Sequence, residues 1–307
     1  MAGPGDSGFR RICRECGADY TVSEMISAKA ILFGSDKTVM LARHTEEEKP
    51  MLIQLFGNEP QAMEYAAKFI WECFSPVGID LNFGCPAPKI FNNGDGSALL
   101  RQPSLSAALV QAARKGCNDG PVSVKMRIGI DGPDPHIVDF AREMEKAGAA
   151  FITVHGRTRE QFYSGKADYE AIRRIKEAVS IPIIANGDVV DGASAQRILR
   201  ETGADGVMLA RGALGAPDVF SRIKSFMGGM PEPSISMRKR FELCFQQLLY
   251  TVEDKGEERA CVEFRKHLLW YLKGIPGAGA YKVEAGRVCT VNDCKELLTK
   301  VFKEQEI

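Results

Sequence analysis

From residue 20 to about 215 the chain alternates two periodicities. Short apolar runs, several of them β-branched, lie at 20–25, 51–56, 78–82, 122–127, 151–155, 181–186 and 206–211, and each ends in polar residues. Between them the apolar positions recur at helical spacing. Runs that are apolar on both faces suit parallel strands covered on both sides. Pro60, Pro103, Pro135 and Pro217 stand where the helices start, and there a missing N–H costs nothing. Gly148 and Gly203 stand where left-handed caps would end them. Strand–helix units in series predict an α/β fold with a parallel sheet, either a (β/α)₈ TIM barrel or a doubly wound sheet. Polar residues gather at the strand C-termini along the whole series, and no glycine-rich dinucleotide turn follows the first strand. Both features favour the barrel. Residues 1–19 supply only a turn and a helix at 9–16, so the barrel is expected to lack its first strand.

The strand pattern stops at the Gly- and Pro-rich stretch 228–233. Beyond it, 235–255, 257–272 and 291–303 read as helices. The expected division is a catalytic barrel domain at 1–228 and a small all-helical domain at 234–307. Charge narrows the partners: 40 Lys+Arg balance 40 Asp+Glu. Nucleic acid would have to be held by a local basic patch, not by bulk charge. No apolar run approaches the ~20 residues of a membrane helix, and no signal-peptide pattern opens the chain. Nine cysteines without framework spacing suggest reduced thiols in a cytoplasmic protein. Cys13-x-x-Cys16 has metal or redox spacing, but no second pair or histidine follows at the right distance, so no metal is expected.

In a barrel the reactive groups collect at the C-terminal ends of the strands. Those ends carry Gln54, Asn82 and Cys85, Lys125 and Arg127, His155 and Arg157, Asn186 to Asp188, and Arg211 to Ala213. The last two loops combine small residues, free N–H groups and an arginine, as a phosphate site does. Their glycines would equally serve tight turns. Cys85 follows a strand and opens a stiff segment with two prolines, then a long Gly-rich loop to Gln102. That setting favours a functional thiol over a buried structural one. Lys125 is the one lysine inside an apolar strand, where it must meet an anion or turn out at the rim. His155, flanked by arginines, reads as a binding residue more than a core one.

These residues together resemble the tRNA-dihydrouridine synthase family in its bacterial form with a helical C-terminal domain. The resemblance is carried by Met1-Ala2-Gly3, Gln54-Leu55-Phe56-Gly57, Asp80-x-Asn82-x-Gly84-Cys85-Pro86, Val124-Lys125-Met126-Arg127, His155-Gly156-Arg157-Thr158, Asn186-Gly187-Asp188 and Arg211-Gly212-Ala213. Phe264-Arg265-Lys266-His267 and Trp270-Tyr271-Leu272-Lys273-Gly274 match the helical domain. The resemblance implies an FMN enzyme that reduces the C5–C6 double bond of uridine in tRNA, with NADPH as reductant. Cys85 would deliver the proton to C5. Lys125 would face the flavin, and Gln54, His155, Met1 and Ala2 would also bind it. Asn186, Gly187, Asp188, Ala210 and Arg211 would hold its phosphate. Asn82 would sit in the uracil pocket, and Arg265, Lys266 and His267 would grip tRNA phosphates. The protein is expected to act as a monomer.

The sequence departs from the family at one place. The family's first strand ends in Pro-Met-Ala-Gly, and this chain begins at the Met. Two other readings follow from the residues: a flavin barrel acting on a small molecule, and an RNA-binding remnant whose barrel no longer holds FMN.

Overall fold

The computed structural model describes residues 3–305, with side chains through Val301, so Met1 and Ala2 lie outside the described residues. The strands are β1 (Thr21–Val22), β2 (Ile26–Ser27), β3 (Met51–Phe56), β4 (Gly78–Phe83), β5 (Val122–Arg127), β6 (Ile152–His155), β7 (Ile183–Asn186) and β8 (Gly206–Met208). All pair in parallel. β1 and β2 both pair with β3, so the expected strand at 20–25 emerges as two pieces. Val22 faces Leu52 and Ile26 faces Leu55, which leaves one extra residue on the edge strand. Ser23 bridges this bulge, its Oγ accepting the Gln54 N–H at 2.9 Å.

The sheet then runs from β3 to β8 in sequence order, with helices between successive strands. Among the described residues β8 has no partner beyond β7, and β1 has none beyond β3. The barrel is therefore open among the described residues, with seven strand positions, as the sequence predicts. Burial follows from this. β6 is buried along its whole length, whereas Gly206–Met208 of the edge strand β8 are only half-buried.

Pro60 and Pro103 occupy first-turn positions of helices Pro60–Phe74 and Pro103–Gly116, and Gly203 caps Gly192–Thr202 at φ +67°. The C-terminal region holds four helices, Met237–Lys255, Glu257–Tyr271, Ala278–Ala285 and Val291–Gln305. The third is absent from the sequence reading, because Gly274, Pro276, Gly277 and Gly279 mask its pattern.

Helix Ser7–Glu15 joins the two regions. A Cβ on Gly8 would lie 2.3 Å from Thr251 Oγ1, so only glycine permits this approach to helix Met237–Lys255. Arg11 stacks 3.8 Å over the Tyr250 ring, and Lys255 Nζ pairs with Asp6 at 2.7 Å. On the barrel side Arg10 Nε pairs at 2.5 Å with Glu48, which is fully buried. A buried pair of this kind is strongly destabilising to break, since either partner alone is an uncompensated charge. Among the described residues no helix is long and apolar enough to cross a membrane.

Candidate active site

Side chains two apart on a strand share a face, so the inward row of each strand reads directly from the sequence. Register places Asn82 beside Lys125 and Thr153, and Arg127 beside His155, Asn186 and Met208. The polar ends of β4 to β7 thereby form one surface.

Lys125 Nζ donates to Asn186 Oδ1 at 3.3 Å. Asn186 Nδ2 in turn donates to the Met208 carbonyl at 2.7 Å, which holds its oxygen toward the lysine. Burial and then Arg127 bring Lys125 down to about 8, against the opposing pull of Asp80. His155 is lowered to about 2 by burial, then by Lys125, Arg127, Arg157 and Arg211. Four cations lie close enough to one imidazole to oppose its protonation, a concentration of positive charge suited to an anion.

Arg157 is 2 % exposed. Its Nη2 donates to Asp188 Oδ1 and Oδ2 at 2.7 and 2.9 Å and to the Gly165 carbonyl at 2.6 Å, while Nε donates to the Ser164 carbonyl at 3.0 Å. Its Nη1 is buried with no hydrogen-bond partner among the described residues. An orphaned guanidinium nitrogen at this depth is costly unless a ligand accepts from it. Asp188, at φ +58°, also accepts the Ala167 N–H at 2.8 Å. Burial acts to raise its carboxyl, but the Ala167 N–H and Arg157 outweigh this and hold it below the usual range. Its side chain is thus committed to orienting arginine, and only its backbone remains to receive a phosphate. Gly187, at φ +138°, keeps the cradle open, since a Cβ there would lie 2.7 Å from Ala167 Cβ. The unpartnered Arg157 nitrogen, the nearby cations and the glycine at 187 fit the phosphate group of a cofactor such as a flavin nucleotide.

Cys85 is half-buried. Its N–H and that of Gly84 donate to Asn82 Oδ1 at 2.8 and 3.1 Å. Its carbonyl accepts from Ser97 Oγ at 2.9 Å. Arg127 holds the same segment, donating from Nε to the Gly84 carbonyl at 2.8 Å and from Nη1 to the carbonyls of Thr158 and Phe162. Gly96, at φ +60°, packs on Cys85, where a Cβ would lie 2.9 Å from Cys85 Cβ and would have no room. Gln54 is buried, its Nε2 bonded to Asp80 Oδ2 at 2.6 Å and its Oε1 to Asn82 Nδ2 at 2.8 Å. Arg211, following Ala210 after β8, lies 4.7 Å over the exposed Tyr163 ring.

The structure therefore brings Gln54, Asn82, Cys85, Lys125, His155, Asn186, Gly187, Asp188 and Arg211 to one end of the barrel. It corrects His267. That ring is fully buried between Phe9, Phe264 and Trp270, with its Nδ1 3.0 Å from Gln247 Nε2, and it cannot grip a phosphate. The signal was available, because Phe264, His267, Leu268 and Tyr271 follow the i, i+3, i+4, i+7 spacing of a buried helix face. Arg265 and Lys266 are half-buried. Arg265 Nε donates to the Val288 carbonyl at 2.8 Å, and Lys266 reaches the Gly3 carbonyl. Arg157, Arg127 and Asp80 play larger parts in the site than sequence reasoning assigned them. Their places two residues from His155, Lys125 and Asn82 were the clue.

Comparison with known proteins agrees with this arrangement. The dihydrouridine synthase family profile matches residues 1–306. A probable tRNA-dihydrouridine synthase of Rickettsia bellii (strain RML369-C) is 39% identical over 295 residues, covering 95% of this chain and 89% of its own. The tRNA-dihydrouridine synthase B of Pseudomonas aeruginosa is 36% identical over 289 residues, covering 94% and 86%. Among solved structures, histamine dehydrogenase from Rhizobium sp. 4-9 superposes with a TM-score of 0.58 at 12% identity. The match covers 82% of this chain and just under half, 46%, of that one. At that identity the likeness supports the barrel fold and nothing finer. The relatives match nearly end to end at more than a third identity, and on that ground the chain belongs to the dihydrouridine synthase family.

Proposed function

We propose that this protein reduces the C5–C6 double bond of uridine in tRNA to 5,6-dihydrouridine, with FMN as bound cofactor and NADPH as reductant. The observation that carries this reading is the ring of Lys125, Arg127, Arg157 and Arg211 next to Cys85, in a chain of this family. Arg157, Arg211 and the backbone of Asn186, Gly187, Asp188 and Ala210 would hold the phosphate. Lys125 would lie against the flavin ring, where a cation stabilises its anionic reduced form. His155, neutral in the ligand-free protein, would serve as a hydrogen-bonding group and not as a charge. When bound, the flavin would supply a hydride for uracil C6. Charge then develops toward C5, and the Cys85 thiol gives its proton there. Asn82 holds the Cys85 backbone and borders the uracil.

The barrel at 1–228 holds the cofactor, and the helical region at 234–307 grips the tRNA. The base must leave its stack to reach the barrel end. Exposed Arg238 and Lys239, with the accessible parts of Arg265 and Lys266, would meet the phosphates. The decisive assay incubates FMN-reconstituted protein with NADPH and unmodified tRNA transcript, and reads the nucleosides by mass spectrometry. Dihydrouridine from tRNA, with free uridine untouched, is expected. Equal turnover of free uridine would favour a small-molecule reductase, and failure to bind FMN would favour an RNA-binding remnant.

The lowered Lys125 predicts a pH dependence. In the free protein its amine loses its proton near pH 8, and an anion beside Nζ raises its proton affinity again. Binding above that pH therefore takes up a proton. The FMN Kd should stay level up to about pH 7.5, then rise toward tenfold per pH unit above about pH 8. Fluorescence titration reads the slope, and Lys125→Met should flatten it. A slope that survives in Lys125→Met belongs to another group.

A further inference from the structure

Asp80 lies inside the barrel on β4, 2 % exposed, and the reaction as proposed gives it no role. Its Oδ1 accepts from Ser123 Oγ at 2.6 Å and its Oδ2 from Gln54 Nε2 at 2.6 Å. Gln54 Oε1 accepts from Asn82 Nδ2 at 2.8 Å, and Asn82 Oδ1 accepts the N–H groups of Gly84 and Cys85. The donors in this chain all point one way. A side-chain amide can turn over with little change in shape, exchanging its donor and acceptor. Here both ends forbid it. The backbone N–H groups of Gly84 and Cys85 can only donate, and an ionised carboxylate can only accept. Reversing either amide would set two carbonyl oxygens, or two NH₂ groups, face to face.

We propose that Asp80 is a positioning residue, which holds the Gln54 and Asn82 amides in the one sense that seats the backbone of Cys85 for proton delivery. The inference rests on the reading of Cys85 as proton donor. Burial raises the Asp80 carboxyl to about 6, opposed by Ser123, Gln54 and Lys125, so it remains an acceptor at neutral pH. An apolar side chain would occupy this interior at lower cost. The carboxylate supplies what an apolar group cannot, a fixed polarity at the far end of the chain.

The test uses FMN-reconstituted protein in single-turnover reduction of tRNA uridine. Asp80→Leu removes the polar end and should slow the chemical step about tenfold or more at saturating FMN, leaving the KM for tRNA unchanged. Asp80→Asn keeps the volume and one acceptor for Gln54 while the Ser123 hydroxyl turns to accept. It should slow the same step only about two- to fivefold. In the ligand-free protein, iodoacetamide labelling of Cys85, read by peptide mass spectrometry, should quicken in Asp80→Leu. Wild-type rates in both variants, or a loss confined to FMN binding or to KM, overturn the proposal. Cys85→Ala run in parallel separates the two ideas. If it is slow while both Asp80 variants are normal, the positioning role falls alone. If Cys85→Ala is itself at wild-type rate, the proton-donor reading falls. In the double variant Asp80→Leu, Cys85→Ala, a rate equal to that of Cys85→Ala is expected, since the carboxylate acts only through the thiol. A further tenfold drop overturns the proposal.

Discussion

Cys85→Ala is expected to retain FMN, retain NADPH oxidation by oxygen, and lose dihydrouridine formation by ~10²–10⁴, the range for removing a general acid. The asymmetry follows from position. Cys85 lies on the loop after β4, held by Asn82, Ser97 and Gly96, while the cations that would hold the cofactor stand on β5 and the loops after β6 and β8. Its thiol is thus needed only when a proton must reach C5. Cys85→Ser should be nearly as poor, because a hydroxyl is a far weaker acid than a thiol. Unmodified tRNA transcript separates the half-reactions: flavin reduction is followed by absorbance and product by nucleoside mass spectrometry. Normal product formation in both variants would assign the proton to water or to another residue.

Lys125→Met should weaken FMN binding by about 30- to 150-fold, the equivalent of ~2–3 kcal/mol for a hydrogen bond to a charged group. The substitution keeps most of the side-chain volume, so the effect reports charge and not a cavity. Lys125 sits in a strand interior, and its one hydrogen bond among the described residues is the 3.3 Å contact to Asn186. It is a cation still short of an anion. A second measurement is independent of turnover. After burial, Lys125 is the strongest of the influences holding His155 down to about 2, so Lys125→Met should move the His155 titration upward. FMN affinity and a His155 titration both at wild-type values would show that Nζ points away from the pocket.

The strands were legible because a parallel strand covered on both faces leaves an apolar run that few other elements imitate. β3 and β5 coincide residue for residue with 51–56 and 122–127. The edge strand was misread as one unit, since its bulge depends on how Ser23 meets Gln54 across the sheet. Helix Ala278–Ala285 was missed because local glycines and a proline hide a segment that tertiary contacts stabilise. His267 was misassigned because adjacency in Arg265-Lys266-His267 says nothing of direction. Successive residues on a helix point about 100° apart, and here the third faces the core.

By itself the sequence determined the barrel, the helical region beyond 228–233, and the set of residues at one end of the sheet. A barrel turns position along each strand into a shared place, so order in the chain becomes proximity in space. Only the tertiary structure decided what those residues do to one another. It turned Asp188 toward Arg157, left one nitrogen of that arginine without a partner among the described residues, and ran a single sense of hydrogen bonding from Asp80 to Cys85. Such pairings depend on side-chain direction and on contacts between residues as much as 31 positions apart, which no local pattern records.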